Sequence, residues 1–155
     1  AFPEDVQEAI TTECQAKYHA YADGKKKCIH VVGPDFRDSF DDPDCTIENA
    51  VKKLALAYGN VFEEFCADKS LKKMRLLPIS GGIFSGPFKD DLPEITAKAV
   101  QAAYDALTAE KKEHIMQSSI EMCIFMEPEF KLFASAFGQS LPPAAPEAVA
   151  AELKD

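Results

Sequence analysis

Met74-Arg75-Leu76-Leu77-Pro78-Ile79-Ser80-Gly81-Gly82-Ile83-Phe84-Ser85-Gly86-Pro87 is a short apolar run that breaks into a turn holding three of the seven glycines. Met74 to Ile79 reads as a strand, and Pro78, which has no N–H for a ladder, belongs near its end. Ser80 to Pro87 then reads as a tight, exposed turn. A backbone without Cβ can approach an anion closely, and a flexible turn leading into a helix can face such a group with N–H donors. Two phosphate motifs are excluded by spelling: no Gly-Lys-Ser or Gly-Lys-Thr closes the loop, and Gly-Gly-x-x-x-Gly is not the dinucleotide fingerprint. By itself the loop reads equally as an anion cradle or an ordinary turn.

Upstream, Val51, Leu54, Tyr58, Val61, Phe62 and Phe65 fall at helical spacing, with Lys52, Lys53, Glu63 and Glu64 on the other side. They predict a helix of about 20 residues from Ile47. Before it, Asp35 to Asp44 carries five Asp and a Pro without period and reads as a loop. Cys28-Ile29-His30-Val31-Val32, ended by Gly33-Pro34, reads as a buried strand. Pro3 and the recurrence of Val6, Ile10, Cys14 and Tyr18 predict an opening helix over residues 3 to 20, stopped by Asp23-Gly24. Downstream, Ile95, Ala99, Ala102, Ala103 and Ala106 mark a helix, and Thr108 caps a short one through Met116. A third strand is expected at Glu121 to Met126. Pro128 then opens a helix with the stripe Phe130, Phe133, Ala134 and Phe137, closed by Gly138.

Strands alternating with helices predict parallel βαβ units, hence an α/β fold in three α/β/α layers with a mostly parallel sheet flanked by helices. In such a sheet ligands bind beyond the carboxyl ends of the strands. Those ends are Gly33-Pro34, Ser80-Gly81-Gly82 and Glu127-Pro128, so these loops are expected to converge on one edge. Residues 1–141 form the expected domain and residues 142–155 a Pro- and Ala-rich tail.

Composition narrows the function classes. The 155 residues are 46% hydrophobic and carry a formal charge of -9, which gives little reason to bind nucleic acid or an anionic membrane. There is no run of 18 apolar residues and no basic, apolar N-terminal segment, so transmembrane and signal-peptide readings fail. Five scattered cysteines without a Cys-x-x-Cys pair suit a reducing, intracellular compartment, cytoplasmic or nuclear.

Other site chemistries are weakly supported. His19, His30 and His114 show no zinc-ligand spacing, and His30 in an apolar strand reads as a hydrogen-bonded structural residue. The acidic loop lacks the glycine and closing glutamate of a calcium-binding EF-hand. Ser80 and Ser85 lack a nucleophile elbow. No metal and no cofactor is expected.

Cys28-Ile29-His30-Val31-Val32-Gly33-Pro34-Asp35-Phe36 resembles the apolar-His-x-Val-Gly-Pro strand and loop of macrodomains. Leu76 to Gly86 resembles their Pro-x-Ile/Leu-Ser-x-Gly-Ile/Val-Tyr/Phe loop. The resemblance spans roughly Lys26 to Leu141, includes the later Cys123-Ile124-Phe125-Met126-Glu127-Pro128-Glu129-Phe130 segment, and looks closest to the viral-like branch. It implies binding of ADP-ribose or an ADP-ribosylated protein, with hydrolysis of that group in some members. Carried over by position, the backbone of Ser80, Gly81, Gly82, Ile83, Phe84, Ser85 and Gly86 cradles the diphosphate and Phe84 lies beside the distal ribose. Phe125 takes the adenine-stacking place, with Met126 and Glu127 as secondary candidates and Gly33 and Pro34 in the neighbouring loop.

The family also carries an N-terminal block with an acidic adenine reader, an Asn-bearing strand and a glycine-rich loop, none recognisable in Ala1 to Lys25. No catalytic residue can therefore be carried over, and hydrolase activity is residual at most. The Asn-bearing strand lies inside the family's sheet, so without it either the matched strands close up or the chain is a piece of a longer one. Two functions remain open: a nucleotide-diphosphate binder, or a degenerate macro-like domain that serves as a protein-interaction or structural module.

Overall fold

The computed structural model describes residues 1–140, with side chains to residue 138; the expected tail at residues 142–155 lies outside the described residues. The chain is a mixed helix and strand protein. In order it forms α1 (Glu4–Ala9), β1 (Ala16–Tyr21), β2 (Lys26–Val31), α2 (Ile47–Ala67), β3 (Lys73–Leu76), α3 (Leu92–Asp105), α4 (Ala109–Gln117), β4 (Ser119–Met122) and α5 (Glu127–Ser140), with short 3-10 turns at Ala22–Gly24, Arg37–Ser39 and Ile83–Phe88.

The central helix α2 forms because its apolar residues recur on one face and Thr46 caps its start, the Thr46 hydroxyl accepting a hydrogen bond from the Asn49 N–H. Leu54, Tyr58, Phe62 and Phe65 on that face are at most 2% exposed. Burying each such side chain contributes about 1.5–3 kcal/mol before cavity effects. The largest helix contact is between α2 and α3, and α3 also packs on α5. Small residues Ala99 and Ala103 of α3 are buried, which lets the helix axes approach closely. Thr108 caps α4 by accepting from the Lys111 N–H.

The strands pair as two separate two-stranded ladders, β1 with β2 antiparallel and β3 with β4 parallel. The parallel β3–β4 unit with its helical crossover matches the expected topology. The β1–β2 hairpin does not. The helix expected over residues 3 to 20 ends at Ala9, and Tyr18 lies in a strand opposite Ile29. Two features override the four-residue recurrence. Ala22, Asp23 and Gly24 all take positive φ and build a turn that brings the chain back on itself. Lys17 to Tyr21 then finds a ladder partner in β2, and tertiary pairing outweighs helical periodicity.

Three smaller boundaries also move. The second strand stops at Leu76, short of Pro78, and the third spans Ser119–Met122, leaving Phe125 beyond its end. Gly138 does not close α5, which continues to Ser140; a helical glycine lacks only side-chain packing and costs about 1 kcal/mol against Ala. β2 and β3 have not closed up on each other, and a cavity of about 740 Å3 runs between them.

Candidate functional site: the loops after β2 and β3

The loops that follow β2 and β3 are bound together. Ser80 donates its hydroxyl to the Pro34 carbonyl at 2.6 Å, and Phe36 donates its N–H to the Phe84 carbonyl at 2.9 Å. The fit is tight: a Cβ on Gly33 would stand 2.6 Å from Ser80 Oγ and from Ile79 Cγ2, closer than real carbon contacts. Gly86, at φ 52, packs its bare Cα against the Phe36 carbonyl. These are the two positions where a missing side chain permits loop contact. Ser80 itself takes φ 59, a left-handed conformation held by its bond to Pro34.

Beneath the loop stands Tyr58 of α2, fully buried. Its hydroxyl accepts from the Ile79 N–H at 3.0 Å and donates to the Leu77 carbonyl at 3.4 Å. Burial pushes its phenol far above the ordinary range, so it acts as a neutral clamp on the end of β3.

The loop is less exposed than expected. Gly81, Gly82 and Ile83 are open to solvent, whereas Phe84 is half-buried and Ser85 is buried as the chain enters the Ile83–Phe88 turn. Gly81 donates to the Pro78 carbonyl and Ser85 to that of Gly82. The amides of Gly82, Ile83 and Phe84 donate to no carbonyl of the described residues and are free to meet an anion. A Cβ on Gly82 meets nothing within 4 Å.

Sequence reasoning missed Arg37. Its guanidinium lies 4.8 Å from the centre of the Phe84 ring and forks onto Asp35, with Nε to Oδ1 at 2.9 Å and Nη2 to Oδ2 at 2.6 Å. The bond from Arg37 holds the Asp35 carboxyl below its usual range, and Asp35 in turn raises Arg37. The signal was Asp35-Phe36-Arg37, an acid and a base two apart in a turn that also places Phe36 in the core.

Phe125 and Met126 lie between β4 and α5. Phe125 is 100% exposed and Met126 54% exposed, and neither lines the cavity. Because β4 is parallel to β3, they leave the ladder at the same edge as Ser80. Gly33, Leu77, Ile79 and Ser80 are the residues of the two meeting loops that line the cavity. His30 pairs through Nε2 with the Tyr21 hydroxyl at 2.8 Å, a structural contact of the hairpin. Among the described residues no group of three His, Cys, Asp or Glu could hold a metal ion, and no helix is long and apolar enough to cross a membrane. The chain matches no protein-family model and no curated protein.

Proposed function

We propose that the chain is a macrodomain-like module that binds ADP-ribose or a related nucleotide diphosphate through the backbone of Ser80 to Gly86. In this reading its architecture is the three-layer α/β/α one, with β3 and β4 belonging to a mostly parallel sheet. One observation carries it: Ser80 and Phe84 tie the glycine loop to Pro34 and Phe36 while the Gly82, Ile83 and Phe84 amides keep no carbonyl partner among the described residues. A diphosphate supplies acceptors for those amides and competes with Asp35 for the Arg37 fork. The free face of Phe125 offers a stacking surface for the base. With a formal charge of -9, the chain attracts no anion from a distance, so affinity rests on short-range N–H contacts.

Calorimetric titration of ADP-ribose into the wild type and Gly82→Glu tests this. The open surroundings of Gly82 accept the new side chain, and its carboxylate beside the amides abolishes binding; equal affinities for the two proteins would sink the reading.

The alternative reading, a macro-like module that meets protein and not nucleotide, is favoured by where apolar surface lies: Leu77 is 70% exposed, Ile83 76% and Phe125 100%. It requires that ADP-ribose leave the unfolding midpoint unchanged, because a ligand of the folded state alone must raise it.

A further inference from the structure

The cavity between β2 and β3 is bounded by two strand edges. In β2, Val32 donates to the Gln15 carbonyl just beyond the ladder. Backbone groups of an antiparallel strand alternate in direction, so His30 and Cys28 face β1 while the N–H and C=O of Lys27, Ile29 and Val31 face the cavity. In β3, Ser119 donates to the Lys72 carbonyl and Cys123 to that of Leu76, which leaves the backbone of Lys73 and Arg75 facing the cavity from the other side. Among the described residues no strand pairs with either edge. Both edges run toward the junction where Gly33 meets Ile79 and Ser80, so the slot narrows there and opens at Lys27 and Lys73.

Its lining fixes the chemistry of what fits. Val61 and Phe65 of α2 contribute apolar surface. Lys27, Lys73 and Arg75 line it with no carboxylate among the lining residues, in a chain whose formal charge is -9. Glu121 answers both Lys73 and Arg75 with a single carboxylate and Asp68 feels the charge of Lys27, so one of the three positive charges stays unmatched along the slot.

We propose that this slot binds an extended segment of a partner protein, alternating apolar and acidic residues, as an added strand between β2 and β3. The added backbone pairs on both sides, its apolar side chains meet Val61 and Phe65, and its carboxylates, on the opposite face, meet Lys73 and Arg75. Two ladders, each of the size that is marginal alone, become one continuous sheet. The slot adjoins the Ser80 to Gly86 loop at Gly33 and Ser80, but the added strand is held by β2 and β3 and does not rest on the nucleotide reading.

The test uses the full chain and a fluorescein-labelled, capped heptapeptide of sequence Glu-Val-Asp-Ile-Glu-Val-Asp. Anisotropy is expected to show saturable binding that weakens at least about tenfold, the equivalent of one lost hydrogen bond, when alternate peptide amides are N-methylated. Cys28 lines the slot and is exposed, so bound peptide slows its alkylation by iodoacetamide. The variant Ile29→Pro, which removes a slot-facing N–H without touching the β1 ladder, weakens binding similarly, with circular dichroism reporting its fold. Absence of binding, binding indifferent to N-methylation, or binding that leaves Cys28 fully reactive would each overturn the proposal.

Discussion

Gly86 presents its bare Cα to the carbonyl of Phe36 so closely that any Cβ there would overlap that oxygen. The contact locks the glycine loop onto the turn after β2, and Phe36 anchors that turn in the core through an edge-on ring contact with Phe88 at 5.2 Å. Gly86→Ala must therefore move either the loop or the turn, on top of the left-handed backbone strain at φ 52. The expected cost is about 2–4 kcal/mol in urea unfolding, together with loss of whatever ligand the loop holds; a variant as stable as wild type would mean the loops are not locked.

Tyr58 sets the height of the same loop from below. In Tyr58→Phe the Ile79 N–H loses its acceptor, and a buried unpaired donor costs about 1–3 kcal/mol. Phe62→Ala, which deletes a ring 2% exposed, is expected to cost about 3–5 kcal/mol. The two differ in kind: Phe62→Ala lowers stability without reference to the loop, whereas Tyr58→Phe also accelerates hydrogen exchange at Ile79.

The Asp35–Arg37 fork sets a pH window. Arg37 lowers the Asp35 carboxyl from its ordinary value of 3.8. A group depressed in the folded state lends its stability above the unfolded value and loses it as pH falls through the folded one. The fork is thus intact at neutral pH and through the ordinary Asp range, and opens only at more acid pH. Side-chain carbon NMR should place the Asp35 midpoint below 3.8 in wild type and return it upward in Arg37→Ala; a midpoint unmoved by that substitution would show that the fork is absent in solution.

Thiol reactivity follows burial. Cys14 and Cys66 are buried, and desolvation raises both thiols, which suppresses the reactive thiolate. Cys28 is exposed. Iodoacetamide at neutral pH should modify Cys28 first and reach Cys14 and Cys66 only after denaturation, as peptide mass mapping would report.

Long, amphipathic stretches were legible because their signals are local. The stripe Leu54, Tyr58, Phe62, Phe65, the Thr108 cap and the glycine turn all depend on neighbours a few residues away, and α2, α3 and α4 lie where those signals put them. The opening helix failed for the converse reason: Tyr18 continues the four-residue recurrence of Val6, Ile10 and Cys14, yet it has a strand partner in Ile29 eleven positions on, which no local period reveals.

By itself the sequence determined the mixed helix and strand class, the central helix and the presence of a glycine turn after an apolar strand, because hydrophobic period, capping and glycine's backbone freedom are properties of the chain close at hand. Tertiary structure alone decided that Gly33 and Gly86 are contact points between two loops, that Arg37 covers Phe84, and that β2 and β3 stand apart around a slot. Those relationships join residues some 40 to 50 positions apart, and they exist because burying α2 and tying off backbone donors drew distant segments to the same edge.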